Sequence, residues 1–157
     1  MGLSGGQQSY RVAARSIERV ADHAAGIAEK SLRITARVPI ELLQKIDKMS
    51  KLSITLLTDA MEALLRRDYY LADSIVDKMD AIHSLEKVII LFLDKEENST
   101  TMAHHDSSIV NIKLILEDIR RTAEHAGDIA EAAMNQTISE IIKKHGFKDR
   151  SANPAIK

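Results

Sequence analysis

The stretch Ile17-Glu-Arg-Val-Ala-Asp-His-Ala-Ala-Gly-Ile-Ala-Glu29 decides the fold, because the chain writes it twice. The second copy is Ile119-Arg-Arg-Thr-Ala-Glu-His-Ala-Gly-Asp-Ile-Ala-Glu131. Eight of thirteen positions are identical at a constant offset of 102, and Asp22 matches Glu124. Ala-rich helices align by chance, but a shared Arg, a shared His and a shared Ile-Ala-Glu ending mark an internal repeat of one helical unit. In both copies apolar residues recur at three- and four-residue steps, the spacing of an amphipathic helix.

Outward from the first copy, that spacing predicts a helix over about 9–33. Val38-Pro39 then ends it, because the residue before Pro is pushed out of the helical region while Pro suits a first turn. A second helix is expected over about 39–67, with Leu42, Ile46, Met49, Leu56 and Leu64 in its stripe. Asp68 is a candidate N-cap for a third over about 69–93, striped by Leu71, Ile75, Met79, Ile82, Leu85 and Ile89. Lys95–His105 is polar and reads as a loop. Asp106 or Ser107 would then cap a fourth helix over about 108–144, which carries the second copy. Residues 1–8 read as a Gly/Ser/Gln-rich leader or tag, 9–146 as one helical domain and 147–157 as a tail. The expected fold is all-α, an antiparallel up-down four-helix bundle, because short connections make neighbours antiparallel.

Composition agrees. The 157 residues are 45% hydrophobic and 29% charged, with two Phe, three Tyr and no Trp. A core of Ala, Leu, Ile, Val and Met suits a bundle better than a β-sandwich. A net charge of −1 favours neither nucleic acid nor an anionic membrane. Absence of cysteine excludes disulfides and thiolate chemistry. The run around Val88–Leu93 is too short to span a bilayer. With no secretory leader visible, a cytoplasmic location is expected.

The acids carry the functional question. If Ile17, Ala21, Ala24 and Ala28 are the buried side of the first helix, then Glu18, Asp22 and Glu29 fall within roughly 40° of one another on an outward face. On the fourth helix Glu117, Glu124, Asp128 and Glu131 fall within roughly 60°, also outward. Like charges at i,i+4, such as Glu18/Asp22 and Glu124/Asp128, cost roughly 0.2–0.5 kcal/mol per pair and call for compensation. Arg15, Arg19, Arg120 and Arg121 could supply it as ion pairs. A hard or intermediate cation could supply it instead, with His23 and His125 at the edges of the stripes as nitrogen ligands.

The doubled motif resembles the signature helix of the PhoU family. That signature carries Glu-Arg, an acid four residues after the Glu and often an Asn four beyond that. Arg67-Asp68-Tyr-Tyr-Leu-Ala72, then Asp77–Asp80 and Leu85-Glu86, is similar to the hairpin that precedes it. The family carries two three-helix repeats, so the resemblance implies the last helix of one repeat followed by one whole repeat. It also implies a longer natural protein, in some relatives with an AbrB-like DNA-binding segment ahead; no direct nucleic-acid contact is expected of this chain. The implied role is regulation of phosphate uptake through transporter or sensor-kinase partners. The implied metal ligands are Glu18 and Asp22, then Glu124 and Asp128 with Glu117 two turns upstream, holding divalent or iron-type ions. Gly26 replaces the frequent Asn, and Arg120 stands where Glu18 stands in the first copy.

No nucleotide-binding glycine loop, nucleophile elbow or His-Glu-x-x-His occurs, so no enzyme is expected. A ferritin-like di-iron bundle needs two Glu-x-x-His pairs, and this chain has none. A metal-handling helical protein is the alternative to the regulatory module. Exposed Ala-rich faces would suit a homodimer.

Overall fold

The computed structural model describes residues 5–99 and 107–145. Four helices account for it: α1 Gly5–Ser31, α2 Ile40–Arg66, α3 Tyr69–Ser99 and α4 Ser107–His145. Cross-helix bonds fix their directions. Ser9 Oγ donates to Ala132 O at 2.9 Å and the Thr35 N–H to Ser108 Oγ at 3.2 Å, so α1 runs antiparallel to α4. Ser53 Oγ donates to Ile119 O and Arg67 reaches Glu140, so α2 runs parallel to α4. Arg120 reaches Glu86 and Lys113 reaches Asp94, so α3 opposes α4. The order is up-down-up-down, an all-α four-helix bundle, with α4 the helix that the other three share.

The core follows the stripes. Ile75, Ile82 and Ile89 recur at seven-residue steps along α3 and are fully buried. They meet Leu42, Met49, Leu56 and Leu64 of α2 and Leu116, Ile119, Ala123, Ala126 and Ala130 of α4 in one cluster. Ala at 123, 126 and 130 keeps α4 slim, and Ser53, 2% exposed, bonds the α4 backbone directly. Fully burying each Leu or Ile contributes about 1.5–3 kcal/mol.

The α2–α3 corner is a two-residue device. Arg67 takes the left-handed conformation at φ 57, and the Asp68 N–H bonds Ala63 O at 2.9 Å, closing the end of α2. Asp68 Oδ1 then accepts the Leu71 N–H at 3.0 Å, capping α3 as its position suggests.

Three sequence expectations change. α3 continues through the polar Lys95–Glu97 to Ser99 rather than ending near 93, because these are helix formers and Asp94 and Glu97 both pair with Lys113. More consequential is α1. Ile17 is 44% exposed, and Ala21, Ala24 and Ala28 are exposed too. The side that turns inward carries Ser9, Ala13, Ser16, Val20, His23 and Ile27. The helix has two small-residue faces, and α4 takes the one that supplies hydrogen bonds. α1 also begins at Gly5, earlier than periodicity implied. The candidate cap Asp106, residues 100–105 of the expected loop and the expected tail 147–157 lie outside the described residues.

Candidate functional site: the paired motif helices

The two copies of the motif lie against each other, and their shared His marks the crossing. His23 and His125 stack with ring centroids 5.6 Å apart at 24°. Each also holds an acid of α4. His23 Nδ1 donates to Asp118 Oδ1 at 3.1 Å, and His125 Nδ1 to Asp128 Oδ2 at 3.2 Å. A carboxylate only accepts, which places the proton on each Nδ1. Lys30 Nζ donates to the other oxygen of Asp118 at 2.6 Å. The side chains of Asp118, His23 and Lys30 are 14%, 18% and 22% exposed. This network ties α1 to α4 beneath the surface acids.

Gly26 fits that network. A Cβ there would lie 2.9 Å from Lys30 Nζ and 3.1 Å from Asp118 Oδ2. A side chain at 26 would require the Lys30–Asp118 bridge to shift.

The surface carboxylates divide into two groups. On α4, Glu117 and Glu124 are bound by arginine. Arg121 reaches Glu117 at 3.3 Å, while Arg120 bonds Glu124 and also Glu86 of α3 at 3.2 Å. Asp128 is held by His125, and Glu131 is exposed. On α1, Arg19 stands 3.7 Å from Asp22, both well exposed, and Glu18 and Glu29 face solvent. The compensation foreseen for the like-charged stripes thus includes arginine in both copies. Among the described residues, no three His, Asp or Glu side chains converge as a metal-binding group would require. Asp128 and Glu131 also border a groove of about 520 Å³ between the start of α1 and the end of α4, with Gln8, Val12 and Asn135.

Asp118 and Lys30 escaped the sequence reading. Asp118 falls outside the thirteen repeated positions, and its counterpart at offset 102 is Ser16, so repetition gave no signal. A Lys one turn beyond a glycine on a helix face was the available hint.

A family model described as PhoU domain matches residues 46–133, more than half of the chain. The chain belongs to the PhoU family. The match runs from α2 through the whole second motif copy, so the PhoU region includes the α2–α3 hairpin and about the first two-thirds of α4. A curated relative, the phosphate-specific transport system accessory protein PhoU homolog of Aquifex aeolicus (strain VF5), is 24% identical over 138 residues. That alignment covers 85% of this chain and 60% of the relative, so the chain spans about three-fifths of the length of the PhoU protein it matches. No solved structure matches. Among the described residues no helix is long and apolar enough to cross a membrane.

Proposed function

We propose that this chain is a non-catalytic regulatory domain of phosphate uptake, working in the cytoplasm through protein contacts made by the exposed acidic sides of its two motif helices. Membership of the PhoU family carries the reading, and the phosphate-transport accessory role named for the Aquifex relative gives it direction. The geometry supports contact over turnover. The acids are spread along helix surfaces, four of them (Asp22, Glu117, Glu124 and Asp128) are engaged by arginine or histidine, and among the described residues they do not line an enclosed cavity of the kind that catalysis uses. Glu18, Asp22 and Glu29 on α1, with Asp128 and Glu131 on α4, are the contact residues, and a basic surface on a transporter or sensor-kinase component is the complement.

A divalent or iron-type cation is the second occupant to test. It would use Glu18 and Asp22, one turn apart and facing solvent. At the second motif it would have to displace Arg120 and Arg121 from Glu117 and Glu124. Deleting the gene and measuring phosphate uptake in phosphate-replete cells tests the regulatory reading: uptake should escape restraint, and unchanged uptake would contradict it. Metal content of the purified protein, with and without Glu18→Ala/Asp22→Ala, tests the cation. Stoichiometric metal lost in the variant would establish it, and metal-free native protein would remove it.

A further inference from the structure

The open groove between the start of α1 and the end of α4 carries negative charge that no lysine or arginine of the described residues pairs with. Asp128 and Glu131 stand three residues apart on its α4 wall, both exposed. Asp128 Oδ2 accepts from His125, and Glu131 has no ion pair among the described residues. Arg15, exposed on α1, pairs with neither acid. Beyond the acids the walls change character. Gln8 and Asn135 bring side-chain amides, and Val12 and Ile138 bring aliphatic surface, around a volume of about 520 Å³.

We propose that this groove takes an arginine side chain of a partner protein, its guanidinium held by Asp128 and Glu131 and its stem laid along Val12 and Ile138. The inference rests on the proposed function and names the group that these two acids hold. Charge, room and acceptors select that occupant together. The carboxylate pair calls for a cation. The room calls for more than a bare ion, since no three His, Asp or Glu side chains converge here among the described residues. Aliphatic walls beside an acid suit a long basic side chain, whose stem is apolar and whose head is charged. The amide oxygens of Gln8 and Asn135 add acceptors to those of the two carboxylates. A guanidinium offers five donors in a planar fork and serves several acceptors at once, where an ammonium offers three from a single point. Arginine side chains seated in a pocket are also frequent anchors of protein interfaces.

Heteronuclear NMR on the full chain tests this, with N-acetyl-arginine-amide as probe and N-acetyl-citrulline-amide as its uncharged isostere. The arginine probe should shift the side-chain amide signals of Gln8 and Asn135 saturably, with a dissociation constant in the millimolar range expected of so small a ligand. The citrulline probe should bind about tenfold more weakly, and Glu131→Gln should weaken the arginine probe by about the same factor. No saturable shift at the groove, or equal binding of the two probes by the native chain, would overturn the proposal. Val12→Trp fills the groove and leaves every acid in place. Cells encoding it should lose restraint of phosphate uptake, with the protein's helicity unchanged. Restraint kept in Val12→Trp but lost in Asp128→Ala/Glu131→Ala would overturn the groove and leave the proposed role of the acids standing.

Discussion

His23 and His125 hold the same position in a motif written twice, and they lie face to face, 5.6 Å between ring centroids, where α1 crosses α4. The repeat is therefore structural as well as textual: its two copies pack antiparallel on each other by the same edge. Replacing either His by Ala should lower unfolding free energy by about 1–2 kcal/mol, and the double variant should lose less than the sum of the singles, because the rings are in contact. A double-mutant cycle by urea denaturation reads this; strict additivity would mean the stack contributes nothing.

Asp118 is the acid that fastens α1. It accepts from both His23 and Lys30 in a largely buried setting. Asp118→Ala should cost about 2–3 kcal/mol by leaving a lysine and a histidine unpaired. The loss should be local. Amide hydrogen exchange should accelerate in α1 while the centre of α3 keeps its protection. Uniform acceleration would show that α1 is not a separable layer.

The sequence carried the helices well and the orientation of α1 poorly. Ile75, Ile82 and Ile89 sit on an unambiguous stripe, so the inner side of α3 was readable from spacing. α1 has two faces of small residues, and the one with Ile17 has the greater apolar content. Packing chose the other because Ser9 and His23 find partners there. Glu18, Asp22 and Glu29 face solvent although the buried side expected for α1 is exposed too, Glu117 and Glu124 are half-buried, and Arg120, which holds Glu124, also bridges to Glu86 on another helix, which no local spacing reveals.

Arg67 holds the left-handed corner between α2 and α3 without being glycine. It adds an ion pair with Glu140 at 3.0 Å, half exposed and of small value. Arg67→Gly and Arg67→Ala both lose that pair, but only glycine relieves the backbone. The glycine variant should be more stable than the alanine variant by about 1 kcal/mol in thermal unfolding. Equal stability would deny any strain at the corner.

Lys113 links α4 to the extended end of α3. Its hydrogen bond to Asp94 raises its pKa above the ordinary 10.5, burial opposes this less strongly, and the hydrogen bond to Glu97 adds a smaller increase. A raised folded-state pKa stabilises fully below the unfolded value and is lost as pH rises through the folded one. The native chain should therefore exceed Lys113→Met in melting temperature near neutral pH, with the gap closing only above 10.5. A gap that closes below that value would contradict the pairing.

On the proposed function, the exposed acids of the paired motif helices carry regulation of phosphate uptake. The most direct measurement is phosphate uptake in phosphate-replete cells whose own gene encodes Glu18→Ala, Asp22→Ala, Asp128→Ala and Glu131→Ala together. Uptake should be released from restraint while the protein keeps its level and its helicity. Normal restraint with all four carboxylates gone would contradict the account.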